Sequence, residues 1–160
     1  MAIDAVRKYL KKYNRDKDIL EFSISSATVE LAAKALNIEG ARIAKTLAFK
    51  YNDTCILVVT AGDTKVDNKK FKEEFGVKPS MLAYNDVFEI TGHEVGGVCP
   101  FALADNTIEV FMDVSLKRFD TVFPACGSSN SAIELTMDEL FTYSNSLKWV
   151  DVCKKIMENE

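Results

Sequence analysis

Apolar residues recur along the chain at two distinct periods. Ile3, Val6, Leu10 and Tyr13 fall three and four apart, the spacing of one helical face, and predict an opening helix. Ile19 to Phe22 reads as a short strand. Val29, Ala32, Ala33 and Leu36 return to the helical spacing, with Ser25 or Ser26 as the cap and Gly40 as the stop. Strands are predicted at Thr46 to Tyr51 and Cys55 to Ala61. The Asn52-Asp53 turn joins them as an antiparallel hairpin. Ile56-Leu57-Val58-Val59 is apolar on both faces, so the second of these strands is expected to be central.

Asp67 is positioned to cap a helix carrying Phe71 and Phe75 and ending at Gly76. Met81 to Ala83 reads as a short strand, and a brief helix from Asn85 or Asp86 should end at Gly92. Strands are expected at Thr107 to Val114, Thr121 to Ala125 and Ser131 to Leu135. Thr136-Met137-Asp138-Glu139 is a capping box opening a helix through about Tyr143, and Trp149 to Cys153 is the closing strand. Strands come in runs with helices between them. That order favours an α+β domain with a mixed or antiparallel sheet over a doubly wound one.

At 160 residues, one domain over 1–160 is the expectation, long enough to bury a core without disulfides or a structural metal. No apolar run has the length of a membrane span, and no signal-peptide core stands at the N-terminus. Cys55, Cys99, Cys126 and Cys153 form no CxxC pair and accompany one histidine, which argues against zinc and for reduced thiols in a cytoplasmic protein. Asp63, Asp67, Asp105 and Asp113 lack metal-loop spacing.

The net charge of −4 argues against general nucleic-acid binding, yet Arg7, Lys8, Lys11, Lys12 and Arg15 cluster in the first helix. Such a run is ordinarily a solvated face. Its functional alternative is a contact with phosphates through Lys8, Lys11, Lys12 and Arg15.

Two segments do not explain themselves as packing. Lys45 stands among apolar neighbours in Ile43-Ala44-Lys45-Thr46-Leu47, where a strand should begin. Either it snorkels from the strand end or it clamps an anion or carbonyl. The loop Gly92-His93-Glu94-Val95-Gly96-Gly97-Val98-Cys99-Pro100-Phe101 holds a GxxxP pattern and is not a P-loop. His93 invites a general-base reading with Cys99 as nucleophile. A histidine that orders its own loop is at least as good a reading. Cys126-Gly127-Ser128-Ser129-Asn130-Ser131 is either a hairpin turn or a wall of hydrogen-bond donors.

Taken in order, four segments carry a resemblance to the YbaK/prolyl-tRNA editing family of aminoacyl-tRNA deacylases. They are Ile43 to Leu47, Thr91 to Phe101, Cys126 to Asn130, and Ala132-Ile133-Glu134-Leu135-Thr136. The likeness runs from about Glu21 to Val152. It implies a mixed α+β domain with a partly barrel-like central sheet. It also implies hydrolysis of the ester of a mischarged tRNA, most often proline tRNA, with no metal or cofactor. By the same resemblance Lys45 would hold the 3′-terminal adenosine or its phosphate. Gly96, Gly97 and the loop to Pro100 would hold the aminoacyl carbonyl and the attacking water through backbone groups. His93, Val98, Pro100 and Phe101, with Gly127, Ser128, Asn130 and Ala132, would line the substrate pocket. The implied partners are tRNA and, for some such proteins, an aminoacyl-tRNA synthetase. The alternative within the same fold is a tRNA- or nucleotide-binding module without catalysis.

Overall fold

The structure is a computed structural model and describes residues 2–157. Its centre is the expected hairpin. β2 (Ile43–Tyr51) and β3 (Thr54–Ala61) run antiparallel from Ala44 opposite Ala61 to Tyr51 opposite Thr54. Asn52, in the turn, takes the left-handed conformation that asparagine tolerates (φ 54°). β3 is buried along nearly its whole length, as its doubly apolar sequence demands. β5 (Glu109–Asp113) pairs parallel to β3, and β9 (Lys148–Val150) parallel to β5. On the other side, β6 (Thr121–Pro124) runs parallel to the start of β2, and β8 (Leu135–Thr136) closes that edge antiparallel. The six-stranded order β8-β6-β2-β3-β5-β9 is a curled, mixed sheet in a single α+β domain.

Helices cover the sheet. α1 (Ala2–Lys11) buries Val6 and Leu10 against the main core, which also holds Leu57, Val59, Met112 and Leu140. α3 (Asn68–Phe75) covers the opposite face through Phe71, which packs on Phe49 and Phe75. Asp67 caps α3 and Gly76 ends it in the left-handed conformation, as expected. α5 (Met137–Tyr143) opens on the full capping box of Thr136 and Glu139.

Several expectations need correction. α2 (Val29–Leu36) is capped by Thr28, not by Ser25 or Ser26, whose hydroxyls reach toward the Ser129 carbonyl, and it ends on left-handed Asn37 before Gly40. α4 (Tyr84–Thr91) starts after Ala83 without a side-chain cap, ahead of Asn85 and Asp86. Met81 makes only one bridge, to Phe49, in place of a strand. The segment from Ser131 to Leu135 is split into β7 (Ser131–Ala132), which pairs with β1 (Leu20–Glu21), and β8. The closing strand also splits. After β9, Val152 donates to the Asp113 carboxylate, and β10 (Cys153–Lys155) pairs with an unanticipated β4 (Thr64–Val66). Each split follows from tertiary partners, which a local apolar pattern does not encode.

Candidate functional site

The sheet parts on one side of β2, and the site lies in the parting. β6 pairs with β2 only at Ile43 and Ala44. Further along, the Ser80–Leu82 segment takes over: Lys50 donates to the Ser80 carbonyl (2.8 Å) and Leu82 to the Ala48 carbonyl (2.9 Å). Between these two pairings lies a cavity of about 340 Å³. Ala44, Lys45, Thr46 and Ala48 border it from β2, Ala32 from α2, Phe123 and Ala125 from the β6 side, and Ala132 from β7. Val95, Gly96 and Val98 of the GxxxP loop complete the wall, with Met81, Tyr84 and Val87 at the α4 end. Small alanines at these positions leave the space open, and no acidic side chain borders it.

Lys45 is inside β2 and not at its start. Its ammonium donates to the Thr64 carbonyl at the head of β4, and burial lowers its pKa. The lysine is thus held in place, half-buried, with part of its surface on the cavity wall.

The GxxxP loop is shaped by its own side chains. The Thr91 hydroxyl donates to the Val87 carbonyl (2.6 Å) and accepts from the His93 amide (3.1 Å). His93 is buried, with Nε2 2.7 Å from the Phe101 carbonyl; because a carbonyl only accepts, Nε2 carries the proton. That leaves Nδ1 as the unprotonated nitrogen, buried without a partner. Burial lowers the His93 pKa, so the ring is neutral. Cys99 Sγ lies 3.5 Å from the same protonated Nε2, which cannot take its proton. Burial pushes the Cys99 thiol up to about 12. The Cys99–His93 pair is therefore a loop-ordering contact and no nucleophile–base dyad.

Two glycines fix the loop against its neighbours. Gly96 has φ +93°, and a Cβ there would meet Ala27 at 3.0 Å. A Cβ on Gly97 would lie 2.8–2.9 Å from three backbone atoms of Ser128, so the loop rests directly on the Cys126–Ser131 turn. That turn spends its polar groups on itself and on the segment from Phe22 to Ser26. Ser128 Oγ donates within the turn, at 2.9 Å from Asn130 and 2.6 Å from Ser131, and Asn130 Nδ2 donates to the Phe22 carbonyl (2.9 Å).

The structure therefore brings Lys45, Gly96, Val98 and Ala132 together around one cavity. His93, Gly97, Phe101, Gly127, Ser128 and Asn130 do not border it. Pro100 borders a second cavity, of about 330 Å³, with Tyr9 and Leu147. No local pattern marks Ala44, Thr46, Ala48 or the α2 and α4 contributions as part of the site, because a cavity-facing alanine looks like a core one.

The basic cluster lies outside the cavity wall, and only part of it is helical: α1 ends at Lys11, so Lys12 and Arg15 follow the helix expected to carry them. Lys8 and Lys11 are exposed, and Lys12 lies over the Tyr9 ring at 3.9 Å. Arg15 is engaged by Asp18 (2.6 Å), the Glu139 carboxylate and the Glu134 carbonyl (3.0 Å). Among the described residues no group of three or more His, Cys, Asp or Glu side chains is placed to hold a metal ion, and no helix is long and apolar enough to cross a membrane.

The model of the aminoacyl-tRNA editing domain matches residues 25–143, which take in every β2, loop and β7 element of the cavity wall. The chain belongs to the aminoacyl-tRNA editing domain family. Within it, YwhH of Bacillus subtilis (strain 168), an uncharacterized protein, is 56% identical over 155 residues, covering 96% of this chain and 98% of that protein. A proline–tRNA ligase of Bacillus cytotoxicus is 33% identical over 102 residues, 63% of this chain but 18% of the ligase. Among solved structures, a candidate trans-editing enzyme for prolyl tRNA synthetase superposes with a TM-score of 0.85 at 23% identity, covering 96% of this chain and 97% of that one. The hypothetical protein APE2540 superposes at 0.81 and 28%, with coverage of 94% and 99%. The family's domain thus occurs both as a segment of a much longer ligase and in chains of about this length.

Proposed function

We propose that this protein is a trans-acting aminoacyl-tRNA deacylase, hydrolysing the ester of a mischarged tRNA, with proline tRNA carrying a small uncharged amino acid as the substrate. The observation that carries the reading is the cavity itself. A held lysine, the backbone of the GxxxP loop and a run of alanines meet around a space of about 340 Å³ that no acidic side chain borders. Lys45 would grip the acceptor end of the tRNA, and the loop around Gly96 and Gly97 would present backbone groups to the ester and to the attacking water. An aminoacyl ester is already activated, so positioning and backbone N–H donors suffice without a strong side-chain base. The neutral, loop-bound His93 and the buried Cys99 fit that division of labour. Ala132 and its neighbours would set the passenger's size. The working compartment is the cytoplasm, and a prolyl-tRNA synthetase is the partner to test by co-purification.

The test is a panel of proline tRNA charged with alanine, serine, cysteine, threonine or 2-aminobutyrate. We expect release of at least one small passenger well above the spontaneous rate, with prolyl-tRNA spared. Hydrolysis of none of them at micromolar protein would overturn the reading. Tight binding of uncharged tRNA without turnover would replace it with the binding-module alternative.

A further inference from the structure

The parting of the sheet leaves one residue's main chain without a strand to pair with. Along an antiparallel strand, the N–H and C=O of successive residues point alternately to the two sides. The Ala48 carbonyl and the Lys50 amide both point away from β3, toward the Ser80–Leu82 segment. Ala44, in phase with them, faces β6 on that same side. Thr46 lies between and must turn its N–H and C=O the same way. There β6 has already left the ladder, since its pairing ends at Ala44, and the Ser80–Leu82 pairing begins only at Ala48. No hydrogen bond to the Thr46 main chain is made from the neighbouring segments, and the Thr46 hydroxyl is buried without a partner. A gap of one residue in an otherwise paired strand, opening on a cavity, is an unfilled ladder position.

The substrate class proposed above carries what that position lacks. An α-aminoacyl ester has an amino group and a carbonyl on adjacent carbons, the same donor–acceptor spacing as a residue in a strand. With no carboxylate on the cavity wall, an α-ammonium entering it must be met by neutral oxygens, and the Thr46 carbonyl is one that no neighbouring strand engages. We infer that the aminoacyl group docks as a missing strand residue on Thr46. Its α-ammonium donates to the Thr46 carbonyl, and its ester carbonyl accepts from the Thr46 N–H. Recognition of this kind reads the part common to all amino acids. It leaves discrimination to the side-chain space beside Ala132, and it orients the ester carbonyl before the GxxxP loop acts on it. Thr46 is here a substrate-binding residue through its main chain. The inference rests on the editing reading but is tested by binding, so the two can fail separately.

The probe is the non-hydrolysable 3′-deoxy-3′-(L-alanylamino)adenosine, compared with adenosine itself. Three proteins are compared: wild type, Thr46→Val, and a semisynthetic protein in which the Thr46 amide is replaced by an ester, which removes the N–H alone. Wild type should bind the alanyl probe more tightly than adenosine and shift the Thr46 amide resonance on doing so. The ester protein should lose about 5–10-fold in alanyl-probe affinity while its affinity for adenosine stays put. Thr46→Val, which keeps the main chain, should retain the preference. Equal weakening of both ligands in the ester protein, an unaltered preference, or an unmoved Thr46 amide would each overturn the inference. A Thr46-dependent preference in a protein that hydrolyses no ester would leave the dock standing and remove the enzyme. Hydrolysis with no dependence on the Thr46 amide would do the reverse.

Discussion

Lys45 and His93 are the two side chains on which sequence and structure bear most directly. Lys45→Ala removes an ammonium bonded to the Thr64 carbonyl from a residue that borders the cavity, and leaves Ile43, Ala44 and Leu47 in place. Deacylation should fall by about 10²-fold or more, as for removal of one transition-state interaction, with the circular dichroism spectrum and melting temperature close to wild type. A wild-type rate would move the lysine out of the site. His93 has the opposite profile. Its pKa is lowered on folding by burial, so the unfolded chain binds the proton more readily. Stability should therefore decline as pH falls below the unfolded value of about 6.5, toward the depressed folded value, and hold constant above it. Urea melts of wild type and His93→Asn between pH 5 and 8 check this. The variant should be less stable at pH 8 and show a flatter pH dependence in this range. Cys99→Ala should keep its hydrolytic rate, because that thiol is buried and its neighbour holds no free base on its side.

At the scale of elements, the decisive contact is between the GxxxP loop and the turn after β6. Gly97→Ala puts a methyl group against the Ser128 backbone at 2.8 Å, where no flexible side chain can yield. The loop must lift, and we expect a decrease of about 1–3 kcal/mol in stability together with the disappearance of most of the deacylation. Chemical denaturation and the charged-tRNA panel read the two effects. On the facing wall, Ala132 is packed among Ala32, Ile43 and Phe123 and borders the cavity. Ala132→Leu should fill the space and reject 2-aminobutyrate before alanine, because steric exclusion is steeper than the gain from one methylene. Equal impairment on both esters would place the passenger elsewhere, beside Val98.

For the whole molecule, the question is where an acidic chain would meet an RNA. The basic cluster of the opening helix and the segment after it divides into two kinds of residue. Lys8 and Lys11 are exposed, and Lys12, just past the helix, rides on Tyr9, whereas Arg15, in the segment after α1, binds Glu139 of α5. Neutralising Lys8, Lys11 and Lys12 together should leave stability within about 0.5 kcal/mol. If those lysines touch phosphates, the slope of log affinity for tRNA against log salt should flatten by roughly 0.7–0.9 for each phosphate no longer neutralised. Arg15→Ala should instead cost about 1–2 kcal/mol, because it takes the cationic partner from a partly buried carboxylate that keeps only the Thr136 amide and the Tyr143 hydroxyl. Fluorescence anisotropy with uncharged tRNA across a salt series reads the slope, and urea melts read the stability. An unchanged slope in the triple variant would reduce the helix to a solvated face.

What the sequence alone determined is what short-range physics controls. The capping box at Thr136, the Asp67 cap with its Gly76 stop, the Asn52 turn and the doubly apolar β3 were all legible, because each is settled within a few residues. The ordered motifs from Ile43 to Thr136 were legible as a family pattern for the same reason: their spacing survives in one dimension. Only the tertiary structure decided the rest. It set β6 against just two residues of β2 and opened the sheet at Thr46. It turned alanines on separate elements toward one cavity, and it spent the polar groups of Ser128 on its own turn and of Asn130 on that turn and on Phe22. It also paired β4 with β10, which lie far apart along the chain. A side chain's meaning in these places depends on partners remote in sequence, and the strand that stops pairing leaves no mark on the residues that stop.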